Sequence, residues 1–176
     1  LTRSSAASDV YKRQTLYDPG TGSNETNAWT IVISSDDASS SAADLNTINS
    51  STSAQVNAAE VTTISSSAIA DVGTLLTNAV KTGISREFTS GSFDNLGAVT
   101  LSDNTITVGD LNTAISNANS LASSAVTKFT ISNGAALIND GGESAFETLM
   151  SKEGAAGSDN INLSTQKLTV TGTISS

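Results

Sequence analysis

The 176-residue sequence contains no cysteine and no histidine. Without thiols it can form neither disulfides nor thiolate metal sites. Without imidazole it has no Ser-His-Asp or Cys-His nucleophile system, no ordinary zinc site and no histidine acid-base catalyst. Proline occurs once and aromatic residues make up 4% of the chain, while 37% is hydrophobic. A core must therefore come from Ala, Val, Ile and Leu, which suits regular stacking better than a deep globule. Cations are also scarce, with 8 Lys and Arg against 17 Asp and Glu. Nucleic acids and anionic membranes both require Lys and Arg, so neither is expected as a partner. No run of about 18 apolar residues occurs, so no membrane-inserted helix is expected.

What is present is Ser, Thr, Asn and Ala with periodically placed apolar residues, and that periodicity argues for a fold. Residues 15–30 are turn-rich, with Asp18-Pro19-Gly20 setting a tight turn. Beyond them, strand-like cores fall at Ile31–Ile33, Val61–Ile64, Val99–Leu101, Phe129–Ile131 and Leu168–Val170. Helical stripes lie between. Leu111, Ile115, Ala118 and Ala122 form one, Ile69, Val72, Leu76 and Ala79 a second, and Phe146, Leu149 and Met150 a shorter third. The tetrapeptide DLNT at Asp44–Thr47 recurs at Asp110–Thr113, inside two longer segments that resemble each other. The chain reads as an internal repeat, with one copy over 31–80, a connection over 81–98, a second copy over 99–140 and a degenerate terminal repeat over 141–176.

Helix starts carry their own chemistry. Ser41-Ala-Ala-Asp44, Thr107-Val-Gly-Asp110 and Asp140-Gly-Gly-Glu143 have the spacing of a capping box, so the first side chain is expected to accept from first-turn amides of its own helix. Short strands alternating with helices imply parallel strands joined by helical crossovers. The expected fold class is α/β, a repeat solenoid with helices on one face of a sheet. The rival is a mostly-β solenoid or sandwich. VTLSDNTITV would then form a hairpin around Asp103-Asn104, and INLSTQKLTVTGTI could form another, since no helix signal separates its two strands.

Two resemblances bear on origin. Residues 4–14, SSAASDVYKRQ, resemble the in-frame translation of a transposon adapter used for short-read DNA libraries, so residues 1–14 are expected to be a sequencing scar on a metagenomic gene fragment whose true N-terminus is missing. Setting them aside leaves five basic against sixteen acidic residues, a net charge of −11. The stretches VTLSD, DLNT, AAEVTTIS and AVTKFTISNG resemble the repeat regions of very large Ser/Thr-rich surface or secreted proteins of marine bacteria, of cyanobacterial type. The chain departs from that pattern at Ser66, where glycine is usual, at Lys128-Phe129, and in the extra connection Lys81–Gly97. The resemblance implies a non-catalytic structural role in an extracellular or cell-surface protein: a spacer, surface layer or adhesin-like stalk. Its partners would be neighbouring repeats, and surface polysaccharide or another surface protein. A phage or secreted fibre protein is the alternative, with a polysaccharide-binding or polysaccharide-acting solenoid behind it.

No catalytic or cofactor residue is expected. Asp36 and Asp37 in a loop, and Asp140 with Glu143 around Gly141-Gly142, offer carboxylate oxygens in flexible turns and are the calcium candidates. Neither EF-hand spacing nor the Gly-Gly-x-Gly-x-Asp nonapeptide accompanies them, and turn or cap roles account for the same acids. Ser164-Thr-Gln-Lys167 has the Ser-x-x-Lys spacing of penicillin-recognising enzymes without their partner motifs. Trp29, Phe88 and Phe93 could stack on carbohydrate, but so few aromatics are expected to plug the core.

Overall fold

A computed structural model describes residues 28–122, 127–132, 134–153 and 160–170. The adapter-like segment and the Asp18-Pro19-Gly20 turn lie outside the described residues. The element order is four rounds of strand, strand, helix and then a last strand. These are β1 (Ile31–Val32), β2 (Ser39–Ser41), α1 (Ala42–Ser50), β3 (Val56–Asn57), β4 (Thr63–Ser67), α2 (Ile69–Ala79), β5 (Ala98–Leu101), β6 (Thr105–Thr107), α3 (Val108–Leu121), β7 (Lys128–Ile131), β8 (Ala136–Asn139), α4 (Gly142–Met150) and β9 (Lys167–Val170). The α/β class follows directly, and every strand pairing is parallel.

One sheet was expected; among the described residues three are found, in the orders β1-β3, β2-β4-β5-β7 and β6-β8-β9. The hairpin of the rival reading, around Asp103-Asn104, does not form, because β5 joins the second sheet and β6 the third. The second candidate hairpin is absent among the described residues as well: Ile161 bridges in parallel to Phe129, while β9 pairs with β8. A parallel ladder fixes these choices, since a two-residue reversal can only make antiparallel neighbours. The chain instead swings from one sheet to the next at 102–104, and again between β7 and β8.

The change of sheet is localised. In the third round Phe88 takes the place of a first strand, bridging to Val56 through Val56 N to Glu87 O at 3.0 Å and Thr89 N to Val56 O at 2.9 Å. That leaves β5 to stack on β4. The extra connection Lys81–Gly97 thereby becomes part of the core. Phe88 and Phe93 are buried and meet edge to face at 5.2 Å and 67°. Phe93 adopts φ 64, a left-handed conformation disfavoured for a bulky residue. Burial of the ring, Phe93 N on Ala58 O and Leu96 N on Phe93 O hold it there. As plugs these two rings match the expectation, whereas Trp29 is 39% exposed.

The core lies between the sheets and the helix layer. Strands turn Ile64, Val99, Leu101, Ile106, Phe129, Ile131 and Leu137 inward. The helices answer with Leu45, Val72, Leu75, Leu76, Leu111, Ile115 and Leu149. Helices of nine to fourteen residues are marginal alone. Burying each Leu or Ile stabilises by about 1.5–3 kcal/mol, so this packing is what makes them fold. The third stripe needs correction: Leu149 is buried, but Met150 is 42% exposed. Adjacent positions on a helix of about 3.6 residues per turn point about 100° apart, too far for both to face inward.

Candidate functional site

Ser41 and Thr107 cap as expected, accepting from Asp44 N and Asp110 N at 3.1 Å each. The carboxylate of Asp44 does not reach back to the Ser41 amide; it accepts instead from the Ser41 hydroxyl at 2.8 Å. Asp140 departs from expectation altogether. Its own helix starts after Gly141, which provides no side-chain cap, and Asp140 Oδ1 accepts from Gly109 N in the first turn of α3 at 3.0 Å. Gly142 explains the difference: its φ of 72 puts a left-handed step at the first residue of α4, which separates Asp140 from the rest of that helix.

The same trans arrangement occurs twice more. Asp103 Oδ2 accepts from Ile69 N, the first residue of α2, at 2.7 Å, and Ala68 provides α2 with no side-chain cap. Ser67 Oγ accepts from Ala42 N, the first residue of α1, at 2.8 Å. Three helix starts are therefore capped by the round that follows them in the chain. Ser67 reaches its position through a β-bulge, where pairing slips between Ile64↔Val99 and Ser67↔Leu101, leaving Ser66 exposed and Ser67 buried.

The asparagine of each DLNT ties helix to helix. Asn46 Nδ2 donates to Asp71 O in α2 at 2.9 Å, and Asn112 Nδ2 to Ala145 O in α4 at 2.7 Å. The Oδ1 atoms of both are buried without a hydrogen-bond partner. In α2 the equivalent position is Gly73. Lys152 adds a tie from beyond α4, its Nζ donating to Asn112 O at 3.1 Å and Ser116 Oγ at 3.0 Å. Burial there holds its ammonium below the usual lysine range.

Of the calcium candidates, Asp36 and Asp37 form a 3-10 turn with Ser34 Oγ donating to Asp37 Oδ2 at 3.3 Å, while Asp140 caps α3 and Glu143 sits exposed in the first turn of α4. Among the described residues no group of three or more acidic side chains comes together. Ser164 and Gln166 belong to the turn before β9 and Lys167 opens it, so the Ser-x-x-Lys spacing does not fall on a helix.

A wide concavity lies elsewhere, outside the candidate residues. A groove of about 720 Å³ runs between α1, α2 and the connection after α2. The 3-10 turn Gly83–Ser85 forms its outer wall and leaves Ile84 fully exposed. Glu87 is fixed beside it by Lys81 and by Asn49 Nδ2. Burial pushes the Glu87 carboxyl up, but those hydrogen bonds and the Lys81 charge outweigh it and hold it below the usual carboxylate range. In the sequence the connection stands out only as a departure from the repeat, and the Ile-Ser-Arg-Glu run within it is the available signal. Comparison with known proteins finds no family model, no curated protein and no solved structure that matches the chain.

Proposed function

We propose that the chain is a non-catalytic structural segment of a large, repetitive extracellular or cell-surface protein, an α/β solenoid acting as spacer, surface-layer element or adhesin-like stalk. The observation that carries this reading is the trans capping: helix starts at Ala42, Ile69 and Gly109 take their acceptors from Ser67, Asp103 and Asp140 in the following round. A round that depends on its neighbour for core, caps and helix ties is suited to stacking in a line. Length is then the functional quantity. The acidic balance keeps such a rod hydrated in salty surroundings. Asp103 and Asp140 are committed to helix caps, which favours this over glycan hydrolysis, a reaction that needs a facing pair of free carboxyl groups.

Mass and shape in solution test the proposal. Light scattering and small-angle X-ray scattering should return an elongated monomer. An intertwined oligomer would sink it and favour a phage or secreted fibre instead. Calcium enters as a second readout: if Asp36, Asp37, Asp140 and Glu143 act as turn and cap residues, millimolar calcium should leave the circular dichroism spectrum unchanged. Calcium-induced ordering would make them ligands coupled to folding.

A further inference from the structure

The groove between α1, α2 and the Lys81–Gly97 connection has the chemistry of a ligand site, and it stands whether or not the chain is a stalk. It is built where the regular rounds are interrupted. Its groups fall into two sets. Glu87 and Asn49 are held by their own hydrogen bonds, and the Thr47 and Thr74 hydroxyls donate back to the helix carbonyls of Ala43 and Ala70. By contrast, the Arg86 guanidinium, the Asp71 carboxylate and the Asn78 amide all line the groove and have no side-chain partner among the described residues. A guanidinium and a carboxylate that line one groove without pairing stand out in a chain where acids outnumber bases about two to one. In such a chain an arginine has many anions to choose from, and this one is left open.

Each free group matches a part of a sugar. Guanidinium presents a planar fork that binds a carboxylate bidentately. A lone carboxylate such as Asp71 accepts from hydroxyl pairs, and an amide such as Asn78 both donates and accepts. Ile84, held out on a turn whose Gly83 adopts φ 68, gives an apolar surface for a ring face. We infer that this groove binds an acidic oligosaccharide, with Arg86 on a uronate carboxylate and Asp71 and Asn78 on neighbouring hydroxyls. An acidic peptide would also satisfy Arg86 and could offer Asp71 its backbone N–H groups, but a saccharide presents adjacent hydroxyls that donate to both carboxylate oxygens and bond the Asn78 amide, so the saccharide fits better.

Isothermal titration calorimetry of the whole chain with trigalacturonate is the test, with maltotriose and a short polyglutamate as comparisons. Trigalacturonate should bind saturably and the other two far more weakly. Arg86→Ala should weaken binding about 10- to 100-fold, the loss typical of a charge-assisted hydrogen bond. Arg86→Lys should fall between, and Asn78→Ala should weaken binding several-fold at unchanged melting temperature. If Arg86→Ala does not fold, Arg86→Gln and amide-shift mapping of Ile84 and Asn78 with trigalacturonate carry the same decision. Absence of saturable binding at millimolar sugar, an Arg86→Ala affinity equal to the parent's, or polyglutamate binding as tightly would each overturn the inference.

Discussion

Asp103 and Asp140 look alike in the sequence and cap helices to which they do not belong. Each accepts a hydrogen bond from the start of the preceding helix: Ala68 precedes α2 without a capping side chain, and Gly109, just after the Thr107 cap of α3, donates to Asp140 at 3.0 Å. Removing such an acceptor costs about 0.5–2 kcal/mol. Asp103→Ala should therefore lower the unfolding free energy measured in urea by that amount and speed hydrogen exchange at the Ile69 amide, with Asp103→Asn losing less because its amide oxygen still accepts. An unchanged Ile69 exchange rate would refute the cap. Two other side chains make stability depend on pH with opposite signs. The depressed carboxyl of Glu87 contributes above the ordinary value of 4.5 and loses that contribution as pH falls through its lower folded value. Thermal melts should thus weaken below about pH 4.5, less steeply in Glu87→Gln, and the effect is small because Lys81 and Glu87 are both about one-third exposed. Lys152 behaves in the reverse way. Its folded state holds the proton less firmly than the unfolded chain, so stability should rise as pH climbs through the folded value toward 10.5, and Lys152→Met should remove that rise.

At the scale of the element, the four helices share a pattern that the DLNT repeat only half reveals. An apolar residue, a variable residue and a threonine recur as Leu45-Asn46-Thr47, Val72-Gly73-Thr74, Leu111-Asn112-Thr113 and Phe146-Glu147-Thr148. Each threonine hydroxyl bonds the carbonyl four residues earlier, at 2.8 to 3.0 Å. The copies at Thr74 and Thr148 were hidden because the spacing is irregular and the middle residue changes. Strand cores and inward stripes were legible, since an alternation or a 3.6-residue period is local information. What each element pairs with was not. The turn at 102–104 and the two glycines at 141–142 decide whether a strand continues in one sheet and whether an acid caps its own helix, and neither leaves a periodic mark. Gly73 offers a direct check on the helix layer. It stands at the asparagine position, and a Cβ built there meets nothing within 4 Å. Gly73→Ala should stabilise by about 0.5–1 kcal/mol, because it removes backbone freedom from the unfolded chain without any clash. A destabilised variant would mean that α2 and α3 need that gap.

For the whole molecule, the arrangement of caps and ties gives the fold a direction. Ser67, Asp103 and Asp140 each reach back to the preceding round, while Asn46 and Asn112 reach forward to the next helix. Neighbours are coupled strongly; rounds further apart touch little. Ending the chain at Leu121 would remove Asp140 from Gly109, the Ala145 carbonyl from Asn112 and the Lys152 ammonium from Ser116. It would also uncover the apolar side of α3 that packs against α4. In a fold governed by nearest neighbours, that loss should be felt in the adjoining round and fade beyond it. Hydrogen exchange on the shortened chain should show α3 amides, Leu111 to Ala118, exchanging much faster, while Leu45, Val72 and Leu76 keep most of their protection. A uniform loss of protection across α1, α2 and α3 would show instead a single cooperative unit, and a protein of that kind could not be lengthened or shortened round by round as a stalk requires.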